Sequence, residues 1–339
     1  MTDRAPGSTR AEVERAAAIL RAGGLVGLPT ETVYGLGADA FNPRAIARLF
    51  AVKRRPAEHP LIVHAGDVSA LEELAIEVPA RAWALAERFW PGPLTLVLAR
   101  NPRLPPSVTG GQDTVAVRVP GHPLALELLR VFGGAVAAPS ANRFGGVSPT
   151  TAQHVRDDLG EDVDVVLDGG PCAVGLESTI VDLTTPTARV LRLGGISEEA
   201  LSAVLGQSVT AGPREGIRVP GDLPSHYAPA ARVVLAREAL LEAELGRLPR
   251  TRVGVLAPQG TRVPAGPLSR FVPAEPAAYA QALYASLREL DAAGCDVIVV
   301  VPPESAGVGR AVLDRLERAA APRPEDSGEV GQGGSGLKG

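Results

Sequence analysis

Apolar positions along the chain fall into two kinds of run. From Thr9 to Leu20 they recur at helical spacing, and Thr9 with Glu12 has the spacing of a capping box. Gly23-Gly24 then supplies a stop. The residues from Pro43 to Ala51 predict a short helix opened by proline, and amphipathic spacing predicts helices at Ala80–Phe89, Pro123–Phe132, Thr151–Leu159 and Ser197–Leu205. Short runs rich in Val, Leu and Ile predict strands at 25–28, 61–64, 94–98, 114–119, 135–138, 163–167 and 179–183. No regular strand–helix period links them, so residues 9–205 read as an α+β or mixed α/β domain.

Residues 206–230 have several Gly and Pro and no clear period, which predicts a linker. Beyond it, runs at 252–256 and 296–301 alternate with helical patterns at 277–293 and 306–320, predicting a small parallel α/β domain over 231–321. Residues 322–339 are polar and Gly-rich and predict a disordered tail.

Composition narrows the classes. The chain has 339 residues, enough for two domains, and only 4% of them are aromatic, so the core must be built of Ala, Val, Leu and Ile. No apolar run reaches membrane-spanning length, and the charged N-terminus has no signal-like apolar stretch. The two cysteines, Cys172 and Cys295, form neither a disulfide framework nor a metal cluster, and a reducing cytoplasm is the expected setting. Net charge is −4, so any anion site must be a local cluster of cations. Of 34 basic residues only Lys53 and Lys338 are lysine. Lys53 is either a chance survivor or a compact charge set against a phosphate.

Six segments carry candidate chemistry. Pro29-Thr30-Glu31-Thr32-Val33-Tyr34-Gly35 offers hydroxyl and backbone donors after a strand, or is an ordinary turn. The following Gly35-Leu36-Gly37-Ala38-Asp39-Ala40 reads as a turn rather than a dinucleotide fingerprint. Lys53-Arg54-Arg55, with His59 and His64 downstream, either answers a helix dipole or builds a polyphosphate site, and the two histidines need not face one way. Thr114 and Arg118 share one strand face about 13 Å apart, where an arginine can grip a carboxylate. Ala138-Pro139-Ser140-Ala141-Asn142 lies at a strand mouth, and Ser148 either meets a phosphate or caps the next helix. Glu177-Ser178-Thr179 enters a strand, and Arg192, alone among leucines, should reach water or an anion. Ser225-His226-Tyr227-Ala228-Pro229 sits in the linker, where Tyr227 either folds back over the first domain or packs the linker.

Walker A, HExxH and G-x-S-x-G patterns are absent from the sequence. Taken in order, PTETVYGLG, KRRP…HPLIVH, TVAVRVP, APSAN…SPT, ESTIVD and SHYAP resemble the YrdC-like family of threonylcarbamoyl-AMP synthases in its long two-domain form. The resemblance spans all but the two ends. It implies an open twisted sheet with helices around a basic concavity, plus a small Rossmann-like C-terminal domain with the linker as a lid. It implies the joining of L-threonine, bicarbonate and ATP into threonylcarbamoyl-AMP with release of pyrophosphate, for transfer to tRNA by a separate complex. It places the family tetrad on Lys53, Arg55, Ser140 and Asn142. By the same resemblance threonine meets Thr32, His64, Arg118, Ser140 and Ser178. ATP meets Lys53, Arg55, His59, Thr114, Ala138, Asn142, Ser148, Arg192 and Tyr227, and Mg²⁺ is held by ATP phosphates. No membrane or DNA partner is expected. A rival class, a non-enzymatic RNA-binding module using the same concavity, suits neither the acidic charge nor the scarce aromatics. Carbamoyl-adenylate formation for hydrogenase maturation would need Cys-rich zinc modules that the sequence does not have.

Overall fold

The computed structural model describes residues 8–249 and 252–322. Residues 323–339 of the expected tail, Lys338 included, lie outside the described residues.

Two sheets organise the chain. The first has ten strands: β1 (Val26–Leu28), β2 (Gly35–Asp39), β3 (Ile62–His64), β4 (Leu94–Ala99), β5 (Thr114–Arg118), β6 (Val136–Ala137), β7 (Val165–Val166), β8 (Thr179–Asp182), β9 (Arg189–Arg192) and β10 (Thr210–Ala211). Their order is β10-β9-β8-β4-β5-β3-β6-β2-β1-β7, an open sheet of mixed direction. Seven helices accompany it: α1 (Arg10–Arg21), α2 (Pro43–Lys53), α3 (Leu71–Leu74), α4 (Ala80–Phe89), α5 (Pro123–Phe132), α6 (Ala152–Leu159) and α7 (Glu198–Leu205). The capping box at Thr9 forms as its spacing predicts. The core is built largely of Leu, Val and Ala, as the small aromatic share required.

The second sheet is parallel throughout, in the order β11 (Arg232–Leu235), β14 (Val297–Val300), β12 (Val253–Pro258), β13 (Leu268–Val272). Ile298 and Val300 face α9 (Pro276–Ala292) and α10 (Val308–Ala320), while Val297 and Val299 pack with Leu241 of α8 (Leu241–Arg247). This is the two-residue alternation of a strand covered on both faces.

Several expectations need correction. The stretch read as a turn at 35–40 is β2, paired antiparallel to both β1 and β6. Glycine is required there for space: a Cβ on Gly37 would stand 2.9 Å from side-chain atoms of both Leu28 and Val136. Strands β9, β11 and β13 and helices α3 and α8 were not read, and β10 adds a strand within the segment read as linker. The run at 163–167 yields only the two-residue β7.

The two sheets share a core. Val33, Val147 and Leu176 from the first part of the chain cluster with Tyr279, Leu283 and Tyr284 of α9. The approach is close, since a Cβ on Gly175 would meet the Gln281 backbone at 2.5 Å. Among the described residues no helix is long and apolar enough to cross a membrane.

Candidate active site

Strand register assembles one wall of a cavity. In the parallel β3–β5 pair His64 lies opposite Arg118, and in the antiparallel β3–β6 pair it lies opposite Val136. Both His64 and Arg118 therefore line the cavity between the sheet and the loop after β1. Arg118 is 3% exposed: Nη2 lies 2.8 Å from the Glu31 carboxylate as an ion pair without a well-aligned hydrogen bond, Nη1 donates to Thr32 Oγ1 at 2.8 Å, and Nε donates to the Gly92 carbonyl at 3.1 Å. Thr32 Oγ1 is in turn 2.7 Å from Thr30 Oγ1. Burial, then the neighbouring Arg118, pushes His64 down to about 3, so its imidazole is neutral near pH 7 and adds hydrogen bonding, not charge.

The opposite wall is different. Arg55 and Arg192 are each 8% exposed and both line the cavity. Arg192 donates to the Ser178 carbonyl from Nε and Nη2, to Ser178 Oγ at 3.0 Å and to the Pro220 carbonyl at 2.9 Å. Arg55 donates to the Pro60 carbonyl at 3.0 Å, and its guanidinium lies 5.4 Å from the Phe144 ring centroid. Among the described residues neither forms an ion pair. Burial lowers both, Arg55 to about 10. Two buried cations held by carbonyls and a hydroxyl gain most from an anionic ligand.

The segment before β11 covers this wall. Pro220, Gly221, His226 and Tyr227 line the cavity. Tyr227 is buried with φ +63°, uncommon for an aromatic residue, and Gly221 has φ +87° with no room for a Cβ, which would stand 2.1 Å from the Tyr227 hydroxyl. The enclosed space is about 50 Å³, well below the ~300–1,000 Å³ of ordinary ligand pockets. The segment from Pro220 to Tyr227 thus leaves little free volume in the site.

Comparison with known proteins decides the family. Residues 18–194 match the Sua5/YciO/YrdC model, described as "Telomere recombination", and residues 196–321 match the threonylcarbamoyl-AMP synthase C-terminal domain. The chain belongs to the Sua5/YrdC family. It is 39% identical to the threonylcarbamoyl-AMP synthase of Pyrococcus abyssi, with 92% of this chain and 95% of the relative covered. It is 40% identical to that of Bacillus subtilis, covering 92% and 94%. The fold matches the crystal structure of Pyrococcus abyssi Sua5 complexed with L-threonine at a TM-score of 0.85 and 38% identity, over 92% of this chain and 95% of that one.

Of the residues expected from the Sua5/YrdC resemblance, Thr32, Arg55, His64, Arg118, Ala138, Ser140, Ser178, Arg192 and Tyr227 line the one cavity. Five do not. Lys53, 1% exposed, points its Nζ at the Ser140 and Asn142 carbonyls, under the loop rather than into the space. Asn142 is buried, its amide nitrogen donating to Arg143 and Gly146 carbonyls. His59 packs edge-on against Phe144 at 5.4 Å, so the two histidines indeed diverge. Thr114 opens β5 at the end away from Arg118, opposite Ala99. Ser148 Oγ donates to Glu177 at 2.7 Å. Ser148 does not cap the next helix; Thr151 does, accepting from the His154 backbone N–H. Arg192 does not reach open water, because carbonyls and Ser178 hold it inward.

Sequence reasoning passed over Glu31 and His226, both inside quoted motifs, and Glu177, which also lines the cavity. The signal for Glu31 was present: a buried arginine on a sheet face calls for an acid nearby.

Proposed function

We propose that this chain is a threonylcarbamoyl-AMP synthase, forming threonylcarbamoyl-AMP and pyrophosphate from L-threonine, bicarbonate and ATP. The observation that carries the reading is the pair of buried guanidiniums, Arg55 and Arg192, that form no ion pair among the described residues and face a cavity also lined by Arg118, Glu177, hydroxyls and two imidazoles. Relatives covering nearly the whole chain bear that name, and the Pyrococcus abyssi structure holds L-threonine.

On this reading Arg118, oriented by Glu31 and Thr32, takes the amino-acid carboxylate, and Ser178 and His64 supply neutral hydrogen bonds beside it. Threonine's amine adds to bicarbonate with loss of water. An oxygen of the resulting N-carboxylate attacks the α-phosphorus, and the Pα–O bond to pyrophosphate breaks. Arg55 and Arg192 hold the phosphates and take up the charge that develops, so positioning and electrostatics carry the rate. Lys53 fixes the loop bearing Ser140 from beneath. Mg²⁺ arrives on ATP: among the described residues no cluster of three metal-ligating side chains exists, and Glu177 in the cavity wall and Glu31 behind Arg118 are already paired with arginine, so phosphate oxygens suit the ion better than the protein does. Pro220 to Tyr227 must withdraw for the reactants to enter. The product serves a transfer complex that modifies tRNA, and the free buried cysteines suit a reducing cytoplasm.

The test is pyrophosphate release together with incorporation of labelled bicarbonate into an acid-stable adenylate. Product forms only when ATP, L-threonine and bicarbonate are all present. Pyrophosphate release indifferent to threonine overturns the proposal, and tight tRNA binding without turnover would favour the RNA-binding class instead.

A further inference from the structure

One carboxylate joins the second sheet's helices to the wall of the cavity. Glu177, 6% exposed, precedes Ser178 and lines the site. Its oxygens accept from Arg315 Nε of α10 at 2.8 Å, from the Tyr284 hydroxyl of α9 at 2.9 Å, and from Ser148 Oγ at 2.7 Å. Arg315, 1% exposed, also donates from Nη2 to the carbonyl of Leu193, next to Arg192, at 2.7 Å. It therefore clamps the entry of β8 to the exit of β9, the two points that present Ser178 and Arg192. The clamp is tight: a Cβ on Gly194 would stand 2.4 Å from the Glu177 carbonyl and from the Thr179 nitrogen. Tyr227 is held by the same pair, its ring 5.0 Å from the Arg315 guanidinium and stacked on Tyr284 at 6.0 Å.

Glu177 poses an electrostatic problem. A carboxylate in the wall of an anion-collecting cavity repels what the cavity is meant to hold. Burial alone would raise it, yet Arg315 and then Arg192 outweigh burial and hold it down to about 2, so it stays ionised at all working pH values. Arg315, which is shared with Asp314 and is not among the residues lining the cavity, offsets that charge.

We propose that Arg315 and Tyr284 are positioning residues for the nucleotide side of the site, acting through Glu177: Arg315 offsets the carboxylate and holds the exit of β9 that presents Arg192, and both hold Tyr227. The C-terminal domain thereby completes the site without touching substrate. This rests on ATP being the nucleotide substrate. Charge makes the effect selective, because ATP is a polyanion and threonine a zwitterion with no net charge.

The experiment compares full-length wild type, Arg315→Met, Arg315→Lys, Tyr284→Phe and the double variant Arg315→Met/Glu177→Gln. KM and kcat are measured for ATP and threonine, ATP binding is measured by calorimetry, and Tm is the folding control. Arg315→Met raises the ATP KM by about tenfold or more and the threonine KM much less, while Tyr284→Phe gives a smaller shift in the same direction. Arg315→Lys recovers part of the loss. The double variant, with no charge to cancel, regains at least about threefold of the ATP affinity lost in Arg315→Met, the remainder being the lost hold on Leu193 and Tyr227. A folded double variant as weak toward ATP as Arg315→Met overturns the proposal, as does an equal rise in both KM values. Calorimetry reports ATP affinity without turnover, so this inference fails or stands separately from the assigned reaction.

Discussion

The two walls of the cavity treat their arginines in opposite ways. Arg118 has its own acid, Glu31, and a hydroxyl that fixes its orientation. Arg55 and Arg192 have carbonyls, an aromatic ring and a serine, and their acidic neighbours, Asp222 and Glu177, act only from beyond ion-pair distance. A charge with a resident counterion is an orienting device. A charge without one is a receptor, because the ligand supplies the missing half. On the proposed reaction, the paired wall would aim a small amphoteric molecule and the unpaired wall would be neutralised by a polyanion.

The largest effect expected from this contrast is on stability. Arg118→Met strands the Glu31 carboxylate and should cost about 3–5 kcal/mol by chemical denaturation, with Arg118→Met/Glu31→Gln regaining most of it. A double variant no more stable than the single one would break the distinction on the paired wall. Arg55→Ala acts on the other wall. It should lower kcat/KM for ATP by about 10²–10³, as for loss of one preorganised donor, while stability moves by less than about 1 kcal/mol. An Arg55→Ala protein as destabilised as Arg118→Met would show that Arg55 is structural after all.

The smallest effect is the pH response. His64 and His226 are both held down to about 3, chiefly by burial. A depressed imidazole contributes stability that is fully present above its unfolded value near 6.5 and is lost as pH falls toward about 3. Between pH 7 and 4.5 the protein should weaken, and His64→Asn should weaken less over that interval, by about 1–3 kcal/mol. Parallel denaturation curves for the two proteins across this range would show that His64 does not titrate in the unfolding equilibrium as burial requires.

How much could be read beforehand depended on the range of the interaction. Helices with local punctuation, Ala80–Phe89 and Pro123–Phe132, form over the residues their spacing indicated. Strands rich in branched side chains, such as Thr114–Arg118, were legible for the same reason. Gly35–Asp39 was not, because its glycines suit close packing against Leu28 and Ala138 and carry no strand signal of their own. Leu268–Val272 is an edge strand with mostly exposed side chains and no clear alternation. In the site, Thr32, Arg55, His64, Arg118 and Ser178 were reachable from motif chemistry, and the structure gathers them around one cavity. Lys53 was singled out for its rarity, yet its ammonium sits on two backbone carbonyls, a partner that no side-chain pattern encodes. The Glu177–Arg315 pair was invisible because its members lie 138 positions apart and meet only once two sheets are packed.

The continuous apolar cluster in which Leu176 and Val33 meet Tyr279 and Leu283 makes the size and shape of residues encoded far apart depend on one another. A change on one side of that seam must be tolerated by residues encoded far downstream. Recombination that exchanged either half alone would bring together surfaces that had never been selected to fit.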